Sequence, residues 1–182
     1  MRRRLIAFVV AAALPAAAFA FEGENLLVSM PDGYKIDFQK RQGNMQITEM
    51  VPKAENVNGW TEMLTVQVFH GLKQAPEQFR DRIAALWAKS CAGAESAPIM
   101  SAVESGYPVT MWLAACPLNK ESGKPELTFM KAIAGKDSFY VVQKAFKFTP
   151  SKEQTATWTQ YLKKVAVCDT RAPERACPAG VK

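Results

Sequence analysis

Apolar and polar residues alternate over several short stretches of this chain, and a longer period replaces that pattern twice. Tyr34, Ile36 and Phe38 alternate with Lys35, Asp37 and Gln39, the two-residue period of a strand with one buried face. Leu64, Val66 and Val68 stand opposite Thr65 and Gln67 in the same way. Residues 26–30, 45–51 and 98–103 read as further strands, set off by turns at Pro31-Asp32-Gly33, Arg41-Gln42-Gly43-Asn44 and Glu104-Ser105-Gly106. Proline fixes its own backbone angle and glycine accepts positive φ, so such clusters reverse the chain. Residues 109–116 hold Met111, Trp112 and Leu113 with little alternation, as a strand buried on both faces requires. Residues 127–133 and 139–148 flank Gly135-Lys136-Asp137, a hairpin signal.

The longer period first appears after Pro76, a residue that loses nothing at the first helical position because its missing N–H has no partner there. Phe79, Ile83, Leu86, Trp87 and Ser90 follow at helical spacing, with Glu77 and Asp81 early, Lys89 late and Gly93 as the stop. The second helix starts near Thr149-Pro150-Ser151. Ser151 with Gln154 fits a capping box, Thr149 before Pro150 is an equally good cap, and Trp158, Tyr161, Leu162 and Val165 form the buried stripe. Each half of the chain therefore reads as several strands followed by one helix. The expected class is α+β: an antiparallel sheet of about seven or eight strands with two main helices packed on it.

The first twenty residues change the picture. Arg2, Arg3 and Arg4 precede an apolar run too short to span a bilayer, and Ala18-Phe19-Ala20 fits a small-x-small cleavage site. Residues 1–20 are expected to be a signal peptide, 21–168 a single α+β domain and 169–182 an irregular tail tied by a disulfide. The expected location is periplasmic or secreted, by the general secretory or the twin-arginine route. Three of the 23 Lys and Arg fall in the signal, leaving 20 against 17 acidic residues. That mild imbalance gives no footprint for nucleic acid. No second long apolar run suggests a membrane span in the mature chain.

Four cysteines, Cys91, Cys116, Cys168 and Cys177, are an even number in an exported chain, and so read as disulfides. Three pairings are possible; Cys91–Cys116 and Cys168–Cys177 join chain neighbours and are expected. There is no Cys-x-x-Cys, and His70 is the only histidine, which argues against a redox pair or a zinc site.

The order of elements resembles the PsbP/Mog1-like fold, as found in the DcrB group of bacterial exported proteins. Leu27-Val28-Ser29-Met30-Pro31-Asp32-Gly33-Tyr34 is similar to the opening strand and proline turn of that family. Residues 75–86 resemble its first helix, Gly106-Tyr107-Pro108 its central hairpin, and residues 131–165 its closing hairpin and final helix. The four cysteines, and the lack of the lipid-attachment cysteine of DcrB-type lipoproteins, are departures. The resemblance implies a binding or accessory role.

No motif demands a chemistry. The chain has no Gly-x-Ser-x-Gly elbow and no glycine-rich phosphate loop, and its single histidine offers one possible base. Glu49, Glu55, Glu62 and Glu126 are the carboxylates that a hydrolase would draw on. The methionines are scattered over several strands, as core filling rather than a copper site. Trp60 follows a polar loop and His70 ends a strand; these two are the candidate partner-binding residues. The expected function is a non-catalytic binding or accessory domain with a protein or cell-envelope partner and no cofactor. The alternatives are a small-ligand carrier with a groove between sheet and helix, and a carboxylate-dependent hydrolase.

Overall fold

The computed structural model describes residues 23–178. The expected signal peptide, residues 1–20, and the last four residues of the expected tail lie outside them. In chain order the elements are β1 (Glu24–Leu27), β2 (Tyr34–Gln42), β3 (Met45–Pro52), β4 (Glu62–His70), α1 (Pro76–Ser90), β5 (Glu95–Glu104), β6 (Tyr107–Asn119), β7 (Lys124–Ala134), β8 (Ser138–Phe146), α2 (Lys152–Lys164) and β9 (Ala166–Asp169), followed by a 3-10 turn at Pro173–Arg175. Seven strands form one antiparallel sheet in the order β2-β3-β4-β8-β7-β6-β5, and β1 pairs with β9 in a separate two-stranded ladder.

The central strands are apolar on both faces, and each face carries one helix. β8 sends Tyr140, Val142 and Phe146 to one side and Phe139 and Val141 to the other. On the first side α2 lays Trp158 and Leu162 over Leu64, Met111, Phe129 and Phe146, and Val167 of β9 joins the same core. On the second, Phe79 of α1, with Ile83 and Trp87, covers Trp112, Met130 and Ala132. The near-continuous apolar reading of β6 thus has its cause: Met111 faces α2 and Trp112 faces α1, and both are fully buried.

Local signals hold at most ends. Pro76 opens α1. Ser151 caps α2, its hydroxyl accepting from the Gln154 amide while the Gln154 side chain accepts from the Ser151 N–H; Thr149 does not serve as the cap. The β5–β6 turn places Ser105 at φ 48° and Gly106 at φ 74°, the paired positive angles of a tight hairpin. Both disulfides join chain neighbours, Cys91 to Cys116 across a Cα–Cα distance of 5.9 Å and Cys168 to Cys177 across 4.9 Å. The first fastens the end of α1 to β6. The second fastens the segment after β9.

Three expectations change. A bulge between Ile36 and Phe38 reverses the alternation of β2, so Phe38 pairs beside Glu49 on the face opposite Ile36, and both stay substantially exposed. Leu86 points away from the core and is 53% exposed; the core-facing row of α1 runs through the buried Phe79 and the half-buried Ile83 and Trp87. The first strand is Glu24–Leu27, earlier than residues 26–30, because its partner β9 sets its extent.

Candidate functional site

All seven strands run between two ends of the sheet, and the side chains with binding chemistry collect at one of them. The loop before β4 brings Asn58, Gly59 and Trp60 to this end. Lys147 follows β8 there, and the β6–β7 hairpin contributes Asn119, Glu121, Ser122, Lys124 and Glu126. Together they line an open cleft of about 440 Å³. A second cleft of about 360 Å³ continues from it to the C-terminal end of α1, where Trp87, Ser90 and the Cys91–Cys116 bridge form its wall. Asn119, Glu121 and Glu126 belong to both. Adjoining through these three residues, the two form one trough, with Trp60 in the first cleft and Trp87 in the second.

The trough is held by short-range interactions. The β6–β7 pairing shifts register between Cys116 and Asn119, and such a bulge re-aims the side chains beyond it. Asn119 Nδ2 donates to Glu126 Oε2 at 2.7 Å, the Glu121 N–H donates to Asn119 Oδ1 at 2.9 Å, and the Gly123 N–H closes the turn on the Asn119 carbonyl at 2.8 Å. On the other wall, Asn56 Oδ1 accepts from the N–H groups of Asn58 and Gly59. Lys147 Nζ stands 3.8 Å from the centroid of the Trp60 ring, close enough for the ring's negative face to attract the ammonium. Glu55 accepts from the Thr61 N–H at 2.7 Å and hydroxyl at 2.5 Å, fixing the chain just after Trp60.

The two partner-binding candidates read from the sequence are far apart. Trp60 lines the trough, half-buried. His70 is exposed at the opposite end of β4, roughly 25–30 Å away at the usual rise per strand residue. Its Nδ1 lies 3.1 Å from Ser138 Oγ, and neither trough cleft includes it. Of the four candidate carboxylates, Glu55 and Glu62 are neighbours that both act on Lys144 and Tyr34, and the other two stand apart from them. Glu126 is in the trough; Glu49 lies on β3, where burial raises its pKa; Glu55 holds the Thr61 turn; Glu62 is paired with a lysine. Among the described residues no group of three or more His, Cys, Asp or Glu is placed to hold a metal ion, and no helix is long and apolar enough to cross a membrane.

Two charged residues missing from the sequence reading are the most buried charged groups among the described residues. Lys144 of β8 and Lys131 of β7 lie beneath α2, each with no exposed side-chain surface. Lys144 Nζ meets Glu62 Oε2 at 2.7 Å and the Tyr34 hydroxyl at 2.6 Å, and sits 4.1 Å from the Trp158 ring centroid. Burial lowers its pKa to about 8, against the opposing pull of Glu62. Burial and the adjacent Glu62 carboxylate push the Tyr34 hydroxyl well above its usual range. Lys131 Nζ meets Glu104 Oε2 at 2.6 Å and the Val165 carbonyl at 2.7 Å, satisfying a carbonyl just beyond the end of α2. Burial lowers its pKa too. These lysines fasten α2 to the sheet and touch neither trough cleft.

A third cluster closes the far end. The Glu24 carboxylate accepts from the backbone N–H groups of Lys136, Asp137 and Ser138 in the β7–β8 turn. Arg171 bridges Asp137 and Asp169 at 2.6 and 2.9 Å, and that guanidinium lowers the Asp169 pKa to about 2. Both ends of the described chain are anchored here, opposite the trough.

No family model matches the chain, and no curated protein matches it either. Among solved structures it is similar to cyanobacterial PsbP from Synechocystis, with 10% identity over 85% of this chain and 94% of that one, at a TM-score of 0.47. It is similar to the Ran-binding protein Mog1p of Saccharomyces cerevisiae, with 11% identity over 78% and 85%, at 0.44. LpqN of Mycobacterium tuberculosis, described as involved in cell envelope biogenesis, is similar at 11% identity over 81% and 84%, at 0.41. The likeness is one of fold alone.

Proposed function

We propose that the protein is an exported, non-catalytic binding domain that takes a protein or cell-envelope partner along the trough between Trp60 and Trp87. One observation carries this reading. The trough gathers two tryptophans, amides and charges of both signs at one end of a rigid sheet, while the one histidine stands at the other end. Half-exposed aromatic anchors ringed by polar groups are the composition of recognition surfaces. The export part of the proposal rests on the arginine-led N-terminal segment and on two disulfides, which persist in oxidising compartments.

The test is site-directed photo-crosslinking in the exported compartment. A photoreactive side chain at Ser122, in the trough, is compared with one at Gln39, on β2 at the sheet edge. A discrete adduct from Ser122 and none from Gln39 is the expected result. Equal labelling from both sites, or none from Ser122, refutes the assignment. The second cleft lies between α1 and the β6–β7 hairpin, which keeps a small-ligand carrier as the second reading.

A further inference from the structure

Resting on the trough as the binding site, we propose that its ligand is a neutral oligosaccharide. Four features point there. The first is the pair of indoles. The carbon-bound hydrogens on one face of a sugar ring are weakly positive and pack on the negative face of an aromatic ring, by the same quadrupole that draws a cation. Lys147 occupies one face of Trp60, which leaves the rest of that half-exposed ring with the ammonium as a donor close by, and Trp87 supplies a second half-exposed ring in the second cleft.

The second is the polar lining. A hydroxyl both donates and accepts, so a polyhydroxylated ligand needs both roles close together. Asn119 and Glu126 bond each other through Nδ2 and Oε2, and beyond that bond the amide has a second N–H and the carboxylate a second oxygen; Ser122, Lys124 and Asn58 extend the set. The third is charge balance. Lys120, Lys124 and Lys147 face Glu121 and Glu126 within one trough. A polymer of one charge sign would meet like charges on any path through it.

The fourth separates a sugar chain from an extended peptide. The trough crosses the ends of β4, β8, β7 and β6 instead of following a strand edge, so it offers no row of backbone groups for strand addition. Recognition falls to side chains, which suits hydroxyls spread around a sugar ring. The two clefts, about 440 and 360 Å³, are of the size of ligand sites.

The chain has four tryptophans, which makes the test direct. Trp60 and Trp87 line the trough, whereas Trp112 and Trp158 are buried in the two cores. The indole N–H signals of the oxidised protein are followed by NMR during titration with cellotetraose, maltotetraose and chitotetraose, each to about 10 mM, which covers weak sites. The expected result is saturable movement of the Trp60 and Trp87 signals with at least one of them, while Trp112 and Trp158 stay fixed. Trp60→Ala and Ser122→Trp each weaken that binding tenfold or more, about 1.4 kcal/mol, with the Trp112 and Trp158 signals showing that the fold is intact. No movement with any tetrasaccharide, or movement of all four signals together, overturns the proposal. Movement with a pool of ten-residue peptides and none with the sugars also overturns it, while leaving the trough as a partner site.

Discussion

Glu62→Gln removes the negative charge beside Lys144 and keeps the shape of the side chain. The ammonium is fully buried, whereas the carboxylate keeps 21% of its side-chain surface in water. The two halves of this pair are therefore not equivalent. The glutamine variant leaves the buried cation in direct contact with neutral acceptors only, the new amide and the Tyr34 hydroxyl, with ring faces around it and the Glu55 carboxylate as its remaining negative neighbour; breaking a buried pair in this way costs about 3 kcal/mol. Lys144→Met instead leaves a carboxylate that water reaches, and the methionine fills the space against Trp158 and Phe146, so the cost is about 1 kcal/mol or less. The double variant then resembles Lys144→Met alone, a coupling of about 3 kcal/mol. Urea unfolding with an unchanged m-value measures all three.

A pH series adds an independent arm. Lys144 falls from its ordinary 10.5 to about 8 in the folded protein. Below pH 8 both states hold the proton, and the penalty for burying the ammonium is fully present. Between about 8 and 10.5 the unfolded chain binds more protons than the folded one, so stability rises with pH, by at most ~1.4 kcal/mol per unit. Tyr34 works in the opposite sense above about pH 10, where the unfolded chain ionises its phenol first. That reverses the usual direction: ionisation of the unfolded phenol stabilises the unfolded chain, so stability falls there. The wild type should therefore gain on Lys144→Met between pH 8 and 10. A flat difference over that range, or a Glu62→Gln cost no larger than that of Lys144→Met, refutes this account of α2 docking.

Replacing both Cys91 and Cys116 by Ala opens a loop of 25 residues and should cost about 3.5 kcal/mol in unfolding free energy, against about 2.6 for the 9-residue Cys168–Cys177 loop; the reverse order in urea midpoints would contradict the loop-length argument. Ser151→Ala removes one half of the α2 capping box and should lower stability by about 1 kcal/mol, read from the same curves. A Cβ at Gly135 would meet the Glu24 carboxylate and come within 2.7 Å of the Ser138 carbonyl oxygen. Gly135→Ala should therefore speed hydrogen exchange in β1 and in the β7–β8 turn while leaving that of β3, away from the clash, unchanged.

Much of the fold is written in local periodicity. The strands of the main sheet, the two helices, the Pro76 start and the capping box at Ser151 follow from spacing and turn residues that act within a few positions. The bulge in β2 leaves no such trace, because Tyr34, Ile36 and Phe38 alternate perfectly as letters, and only the pairing with β3 displaces one of them. β9 is equally silent, since four residues running straight on from a helix carry no period of their own. Lys131 and Lys144 sit in apolar runs where a lone lysine reads as a solvent-facing position. Their burial depends on Glu104 and Glu62, 27 and 82 residues away. The trough is half-legible: Trp60 and Glu126 stand out, but the hairpin that brings Asn119, Lys124 and Glu126 opposite Trp60 is a product of strand order.

The β1–β9 ladder also decides which way the molecule faces. Glu24 lies across from Asp169, and the Gly23 N–H bonds the Thr170 hydroxyl, so the two ends of the domain leave side by side. They leave from the His70 end, with the whole length of the sheet between them and the trough. A tether, tag or fused module at either terminus holds the domain by its closed end and projects Trp60 and Trp87 outward. The same antiparallel ladder, pulled from both ends at once, opens one residue pair at a time like a zip instead of shearing, and the trough keeps its shape until β1 has come away.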